Sequence, residues 1–554
     1  MMHQSPQKES AGIDPVMLEV IQSALVYAAE EAGIALRNAA YSHNIKERMD
    51  HSCALFDPEG RLLAQAEHIP VHLGSLPWGV KNVLRETAAS GLQWEPGDAV
   101  MVNDPYVAGT HLNDVMLIKP VFYRRGLIGF SVNRAHHVDV GGKVVGSISP
   151  DARSLDDEGV IVPPVRIARR DRMDEKALFP FLSRVRTPEF SKGDLKAQLA
   201  AAAVGEHRLV ELAEHYGPET LRSVFSRIIS SGRERMIRRL ALFPSGSFTA
   251  EDCLEDVNGE GTLTWIRVVV EKRGEALHVD FSGTEAQIPT PFNAVFGVAL
   301  SATYFAVKSV LDPEGPMNEG VLEPVRVFAP SGCLVNPVKP APVAGGNLET
   351  SQRIADTVLR ALARALPDRV PAAPHGCMNN VSAGGYDPER RRNWAFYETI
   401  GGGAGARPGA DGVDGIHTNM TNTMNTPIEA IEQGYPVLFE RYELREGSGG
   451  RGRWRGGEGI IRAWKFLGPS AQVTVIGDRH RVPPWGLKGG EGGRPGVFSL
   501  RKADGPLVPL KSKQTIILRK GDTLIVETPG GGGYGDPLGQ ESASRGSLSN
   551  DGVQ

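Results

Sequence analysis

Glycine and proline interrupt this chain too often for it to form a helical bundle. The sequence holds 65 glycines and 39 prolines in 554 residues, close to one residue in five, against about one in eight in an average protein. Both residues weaken the interior of a helix and favour turns. The chain must therefore be built from short elements joined by many turns. The fold class this implies is α+β, with several β-rich lobes and helical insertions between them. At roughly 150 residues per domain the length accommodates three or four such lobes.

Charge and cysteine usage narrow the class of partner. Lys plus Arg number 61 and Asp plus Glu 65, a net charge of −4, so there is no broad basic surface and nucleic acid is not an expected partner. No apolar run reaches the roughly 18 residues a membrane helix needs, so no membrane association is expected. The opening MMHQSPQKESAG has no apolar signal core, which points to the cytoplasm. Cys53, Cys253, Cys333 and Cys377 are scattered without a CxxC pair. They read as reduced thiols rather than a zinc ribbon or a disulfide framework.

Periodicity then places the elements. Asp14-Pro15 starts a helix, Asp as cap and Pro in the first turn, with apolar residues at helical spacing to about Ser42. Residues 52–56 and 61–64 flank Asp57-Pro58-Glu59-Gly60, a hairpin with a type I turn. A helix over 76–90 and strands over 98–102, 115–123 and 126–133 follow. Two helices are expected near 193–216 and 217–241, strands over 263–270 and 276–281, and a helix over 351–366. The lobes so drawn are a metal-site α/β lobe (14–172), a helical insertion (173–245), an α+β lobe (246–395) and a glycine-rich β lobe (396–537). Disordered segments at 1–13 and 538–554 flank them.

The stretch from Asn103 to Gly142 is the richest in metal-ligating chemistry. It contains His111, Asp114, His136, His137 and Asp139, and imidazole with carboxylate suits Zn²⁺, Mn²⁺ or Fe²⁺. Two of its strands read as a hairpin. With a two-residue turn at Arg124-Arg125, Tyr123 pairs with Gly126 and Asp114 falls opposite Ala135. A three-residue turn that includes Gly126 slips the register by one and sets Asp114 opposite His136. Directly opposed residues have Cβ atoms about 5 Å apart, close enough to share one ion. His111 lies three residues before Asp114, where a loop can fold it onto the same ion. On its own His111 would read as a surface residue; the convergence of three ligands is what points to a metal. His136 and His137 face opposite ways in extended chain, so one of them ligates. The Asp114 pairing favours His136, leaving His137 behind the ligands or towards substrate.

Other residues are ambiguous on spacing alone. Asp50, between the first helix and the first hairpin, is either a fourth ligand or general base, or a surface carboxylate at a helix end. His68 and His72 flank Ile69-Pro70-Val71, and in extended chain both would line one face of a cleft, although histidines taken singly are more often structural. The loops Gly345-Gly346, Gly401 to Gly405 and Gly530 to Gly533 fit neither a P-loop nor a dinucleotide fingerprint. They read as tight turns and close backbone approaches, with Thr350 or Ser351 as the cap of the helix after Gly346. No GxSxG elbow is present.

Nine segments in order carry a resemblance: DHSCALFD (50–57), HIPVHLGSLP (68–77), NDPYVAGTHLNDV (103–115), HHVDVGG (136–142), PAPVAGGNLETSQRIAD (340–356), TNTMNTPIEAIE (421–432), GGRGRWRGGEG (449–459), DRHRVPPWGLKGG (478–490) and TPGGGGYGDP (528–537). From about Asp14 to Pro537 the chain resembles the hydantoinase B/oxoprolinase family. The resemblance implies a subunit of an ATP-dependent enzyme, paired in a hetero-oligomer with a hydantoinase A-type chain that binds ATP and phosphorylates the substrate. Family members open hydantoin, 5-oxoproline or lactam rings, or carboxylate ketones such as acetone and acetophenone. The family's His-x-x-Asp pair and later His map onto His111, Asp114 and His136 as ligands of one divalent ion, Zn or Mn. Asp50 resembles a carboxylate near that ion and would act as base, with His68, His72 or His137 positioning the ring. The family's frequent THLPD reads THLND here, with both ligand types kept. Three functions follow: a cyclic amide hydrolase subunit, a ketone carboxylase subunit marked by bicarbonate dependence, or a non-catalytic scaffold for the partner. The length fits a stand-alone subunit rather than a fused two-part oxoprolinase.

Overall fold

The computed structural model describes residues 13–66 and 68–537. The end segments expected to be disordered, 1–13 and 538–554, lie outside the described residues apart from Ile13. The first helix, Pro15–Ala39, starts where the sequence places it: the Asp14 carboxylate accepts from the Val16 N–H at 3.1 Å. Its buried stripe of Ile21, Leu25, Ala28, Ala32 and Leu36 packs against the long helix Pro188–Tyr216.

Beneath these helices is an antiparallel seven-stranded sheet. Its order is Leu62–Gln65, His51–Phe56, Gly126–His136, Asp114–Tyr123, Ala99–Val102, Val165–Arg169 and Arg172–Met173. Both faces are buried, and alternation along the strand assigns each residue to a face. Val115 and Leu117 join the core with Leu195 and Ala202 of the helix Pro188–Tyr216. Met116 and Ile118 point the other way, to Leu76, Val80 and Val83 of the helix Ser75–Ala89.

A second sheet, ordered Val325–Phe328, Ala276–Asp280, Leu263–Arg273 and Ser247–Glu255, carries the helix Ser351–Ala365. That helix packs in turn on Phe296–Leu311. The helix Phe296–Leu311 was not visible to periodicity. Val298, Ala299, Leu300, Ala302, Val307 and Val310 bury it on nearly all sides, so it has no polar face to set against an apolar one.

Two further sheets enclose a separate core. One is ordered Arg392–Glu398, Asn380–Asp387, Ser470–Ile476 and Lys513–Arg519. The other is ordered Val437–Arg445, Gly459–Phe466, Thr523–Glu527, Val497–Arg501 and Leu507–Pro509. Trp394, Phe396 and Val473 of the first meet Trp464, Phe466 and Phe498 of the second in a sandwich. Beside it, extended glycine segments pass one another at backbone distance. A Cβ on Gly457 would lie 2.0 Å from the Val413 oxygen, and one on Gly531 1.9 Å from the Ala404 oxygen. These glycines are needed for close approach, with N–H groups of Gly457 and Gly531 donating to Ala404 and Gly457 at 2.8 and 2.9 Å.

The architecture is mixed α+β, as expected. The four cysteines are buried and unpaired. Among the described residues no helix is long and apolar enough to cross a membrane.

Candidate metal centre

Asp114 opens one strand of the central hairpin and His136 closes the other, directly opposite it. The tip holds the two-residue turn, Tyr123 pairing with Gly126. Then Phe122 pairs with Leu127 but Val121 with Gly129, so Ile128 is the extra residue of a β-bulge. A slip of one residue exchanges the faces of a strand. The register expected from a three-residue turn is thus reached by a two-residue turn and a bulge.

His111 arrives from a loop built to return it. Asp104 caps the one-turn helix Pro105–Ala108, and Gly109 follows at φ +94°. A Cβ on Gly109 would stand 2.9 Å from the Trp78 ring, so both backbone angle and space require glycine. The Asp114 N–H then donates to the His111 carbonyl at 3.1 Å.

The three side chains converge. Asp114 Oδ1 lies 3.2 Å from His111 Nε2 and 3.4 Å from His136 Nδ1, and the two ring nitrogens are 3.3 Å apart. These ligand atoms fall within 4.8 Å of one another, and all three residues are buried. Burial alone would raise the Asp114 carboxyl. The facing imidazoles, His111 first and then His136 and His72, outweigh it and hold the group well below the usual carboxylate range. Burial lowers His136, which favours the neutral imidazole that a metal needs. Among the described residues no lysine or arginine bonds Asp114; the buried Arg134 feels its charge but bonds Ser75 Oγ and the Ala108 carbonyl instead. An ionised carboxylate converging with imidazole lone pairs fits a divalent ion such as Zn²⁺ or Mn²⁺.

Asp50 lies beside this centre. Its backbone oxygen accepts from the His136 N–H at 3.0 Å. Its Oδ2 is 3.8 Å from His136 Nδ1 and 3.7 Å from Arg48 Nη2. The Asp50 side chain is 11% exposed while that of Asp114 is 1%, so Asp50 is the carboxylate that water reaches.

Three residues sit apart from the arrangement their spacing suggested. His137 does not face the centre. Alternation turns it to the opposite face of the sheet, where its Nε2 pairs with Gln198 Oε1 at 3.0 Å and its ring edge meets Phe181. His68 and His72 do not share one face, because Pro70–His72 is a 3-10 turn rather than extended chain. His68 lies against His51, ring centroids 5.0 Å apart, and lines a cavity of about 230 Å³ with Ile69, Leu73, Phe305, Met317 and Asn422. His72 turns inward, its Nε2 3.5 Å from Asp114 Oδ2.

Other neighbours carry no signal in the sequence. Asn347 Nδ2 donates to Asp114 Oδ2 at 3.2 Å. It comes from the Gly345-Gly346 loop, which is a π-helical turn, Gly346–Thr350, rather than a capped helix start. Thr350 and Ser351 cap nothing: their hydroxyls donate to the Phe292 and Asn347 carbonyls at 2.6 and 2.9 Å. Tyr397 stacks on His136 with centroids 4.7 Å apart and planes at 6°, and the Arg48 guanidinium lies 5.0 Å from the Tyr397 ring. Asn44 Nδ2 donates to the His136 carbonyl at 3.1 Å.

Comparison with known proteins gives a consistent result. Residues 14–537 match the family described as hydantoinase B/oxoprolinase. A Pseudomonas sp. protein, named as the B-type chain of a D-/L-hydantoinase, is 33% identical over 546 residues, covering 96% of this chain and 91% of that one. The 5-oxoprolinase of Dictyostelium discoideum is 33% identical over 531 residues, 94% of this chain but 40% of that enzyme. The chain thus spans about two fifths of the length of that 5-oxoprolinase. The crystal structure of an ATP-dependent caprolactamase from Pseudomonas jessenii superposes with a TM-score of 0.88 at 31% identity, covering 97% of this chain and 95% of that one.

Proposed function

The chain belongs to the hydantoinase B/oxoprolinase family, and from that premise we propose that it is the metal-holding subunit of an ATP-dependent cyclic amide hydrolase. Its substrate is a hydantoin, 5-oxoproline or lactam ring, and its partner is a hydantoinase A-type chain that binds the ATP. The observation that supports this most is the convergence of His111, Asp114 and His136 beneath a water-accessible Asp50.

An amide is a weak electrophile, and phosphorylation of its oxygen by the partner turns the carbon into an activated centre. His111, Asp114 and His136 would hold one Zn²⁺ or Mn²⁺. When bound, such an ion supplies Lewis acidity, polarising the substrate and favouring ionisation of water at neutral pH. Asp50 accepts the proton of the attacking water as a new C–O bond forms; the ring C–N bond then breaks with proton return to nitrogen, leaving an acyl phosphate. Hydrolysis of that acyl phosphate by a second water releases inorganic phosphate and the carboxylate. Tyr397, stacked on His136, and Asn44, bonded to its backbone, hold that imidazole in place. His68 forms one wall of the cavity with Leu73, Phe305 and Met317, a surface suited to the methylene edge of a small ring.

The test combines this chain with an A-type partner, ATP and a panel of hydantoin, 5-oxoproline and lactam substrates. Ring opening is expected to require both chains and to be independent of bicarbonate. Full ring opening by the A-type chain alone would sink the proposal. A product carrying carbon from bicarbonate would assign a ketone carboxylase instead.

A further inference from the structure

The two oxygens of Asp114 are used differently. Oδ1 faces His111 Nε2 and His136 Nδ1 at 3.2 and 3.4 Å, whereas Oδ2 faces Asn347 Nδ2 at 3.2 Å and His72 Nε2 at 3.5 Å. His72 is fully buried, and its Nε2 has no hydrogen-bond partner. Its other nitrogen, Nδ1, is 2.8 Å from Ser52 Oγ. That same Oγ accepts from the Ile69 N–H at 3.4 Å.

The Asp114 carboxylate selects the tautomer of His72, and Ser52 can complement it. With its oxygen accepting from Ile69, Ser52 is free to donate its hydroxyl hydrogen to Nδ1. The imidazole proton then sits on Nε2, pointing at Asp114 Oδ2. The opposite tautomer would set a nitrogen lone pair against the carboxylate in a site from which water is excluded, which is repulsive. Ser52, His72 and Asp114 thus form a directed chain, from hydroxyl through imidazole to carboxylate, with Asn347 as a second donor to the same oxygen.

We propose that His72 is a positioning residue: through its Nε2–H it holds Oδ2 of Asp114 away from the metal centre and so presents Oδ1 to the ion. This rests on the metal reading of the centre given above. The role differs from the substrate contact that the family resemblance implied for His72. It follows from the turn Pro70–His72, which swings the ring inward behind Asp114. Hydrogen bonds to ligating carboxylates and imidazoles set their orientation, and removing one typically weakens metal binding by about 10–100-fold.

The experiment measures Zn²⁺ affinity of the full chain by chelator competition, and the visible absorption of its Co²⁺ form. Wild type, His72→Ala, His72→Gln and Ser52→Ala are compared, with apo-protein melting followed to check folding. Gln places an amide N–H where Nε2–H stands. His72→Ala is expected to weaken Zn²⁺ binding by about 10–100-fold at unchanged stoichiometry and to alter the Co²⁺ spectrum. His72→Gln should recover affinity to within a few-fold and restore the spectrum. Ser52→Ala, which removes the donor to Nδ1, should fall between wild type and His72→Ala. Wild-type affinity and spectrum in His72→Ala would overturn the proposal. Loss of the ion in both His72 variants, with apo melting unchanged, would overturn it too and make His72 a ligand. Failure of the wild type to bind any divalent ion would instead defeat the metal reading on which the proposal stands.

Discussion

Asp114 and Asp356 are both fully buried carboxylates, and the molecule treats them in opposite ways. Asp356 accepts from Arg353 at 3.0 Å, Arg479 at 2.8 Å and Asn419 at 2.8 Å. Around it Arg479 also bonds Asp252 at 2.7 Å, Arg353 bonds Asp478 at 2.8 Å, and Lys513 bonds Asp478 at 3.0 Å. Three fixed cations meet three carboxylates. The cluster ties the second sheet, the helix Ser351–Ala365 and the β-sandwich together. Asp114 is contacted by three imidazoles and one amide, and among the described residues no guanidinium or ammonium pairs with it directly; the buried Arg134 acts on it only through space. A buried charge left without a fixed counter-ion is unfavourable. Fixed cations make a structural joint; imidazole lone pairs facing a lone carboxylate make a place for a mobile cation.

Breaking each cluster should therefore give opposite signatures. The largest effect expected is from Arg353→Ala, which leaves Asp478 to Lys513 alone and Asp356 to Arg479 and Asn419. Removing one partner from a buried network costs about 3–5 kcal/mol, read as a drop in unfolding free energy by urea titration, with or without a chelator. Asp114→Ala should behave in reverse. Apo stability should fall by only about 1–3 kcal/mol, the cost of leaving the Asn347 donor without its acceptor. Stabilisation by added Zn²⁺, worth about 2.7 kcal/mol at a hundredfold excess over Kd, should vanish in that variant and persist in Arg353→Ala. A metal response that followed Arg353 instead would undo the contrast.

Glu158 sharpens the comparison as a third case, a buried carboxylate with no cation of either kind. Its Oε1 accepts from the Val343 and Ala344 N–H groups, both at 2.8 Å, and its Oε2 has no partner. Burial pushes its carboxyl from 4.5 up to about 8. The folded protein therefore holds this proton more tightly than the unfolded chain. That contribution to stability is complete below pH 4.5 and is lost as pH rises through about 8. The slope is at most about 1.4 kcal/mol per pH unit. Glu158→Gln should flatten that slope in a pH series of thermal melts; an unchanged slope would place its origin elsewhere. The smallest effect expected is at Tyr397. Replacement by Ala should cost His136 its stacking, about 0.5–1.5 kcal/mol in metal-binding free energy, whereas Phe should retain it. Equal metal affinity in both variants would remove Tyr397 from the centre's account.

The centre was legible where local chain geometry sets it. Asp114 and His136 are joined by one hairpin, and strand alternation separates His136 from His137. The register still hid a bulge at Ile128, which depends on side-chain packing rather than turn chemistry. Asn347 and Tyr397 could not be placed, since each arrives from a distant segment across the junction of sheets. Pro70 misled the reading of His68 and His72 by setting a turn where extended chain was assumed. The fold class followed from turn density and apolar spacing, but Phe296–Leu311 carries no periodic signal because it is buried all round.

Metal content by elemental mass spectrometry, on the wild type and on a His111→Ala, Asp114→Ala double variant, tests the central claim most directly. The account predicts about one equivalent of Zn or Mn in the wild type and less than about a tenth in the double variant, with cooperative apo melting retained. Equal metal in both proteins, or none in the wild type after reconstitution, would contradict it.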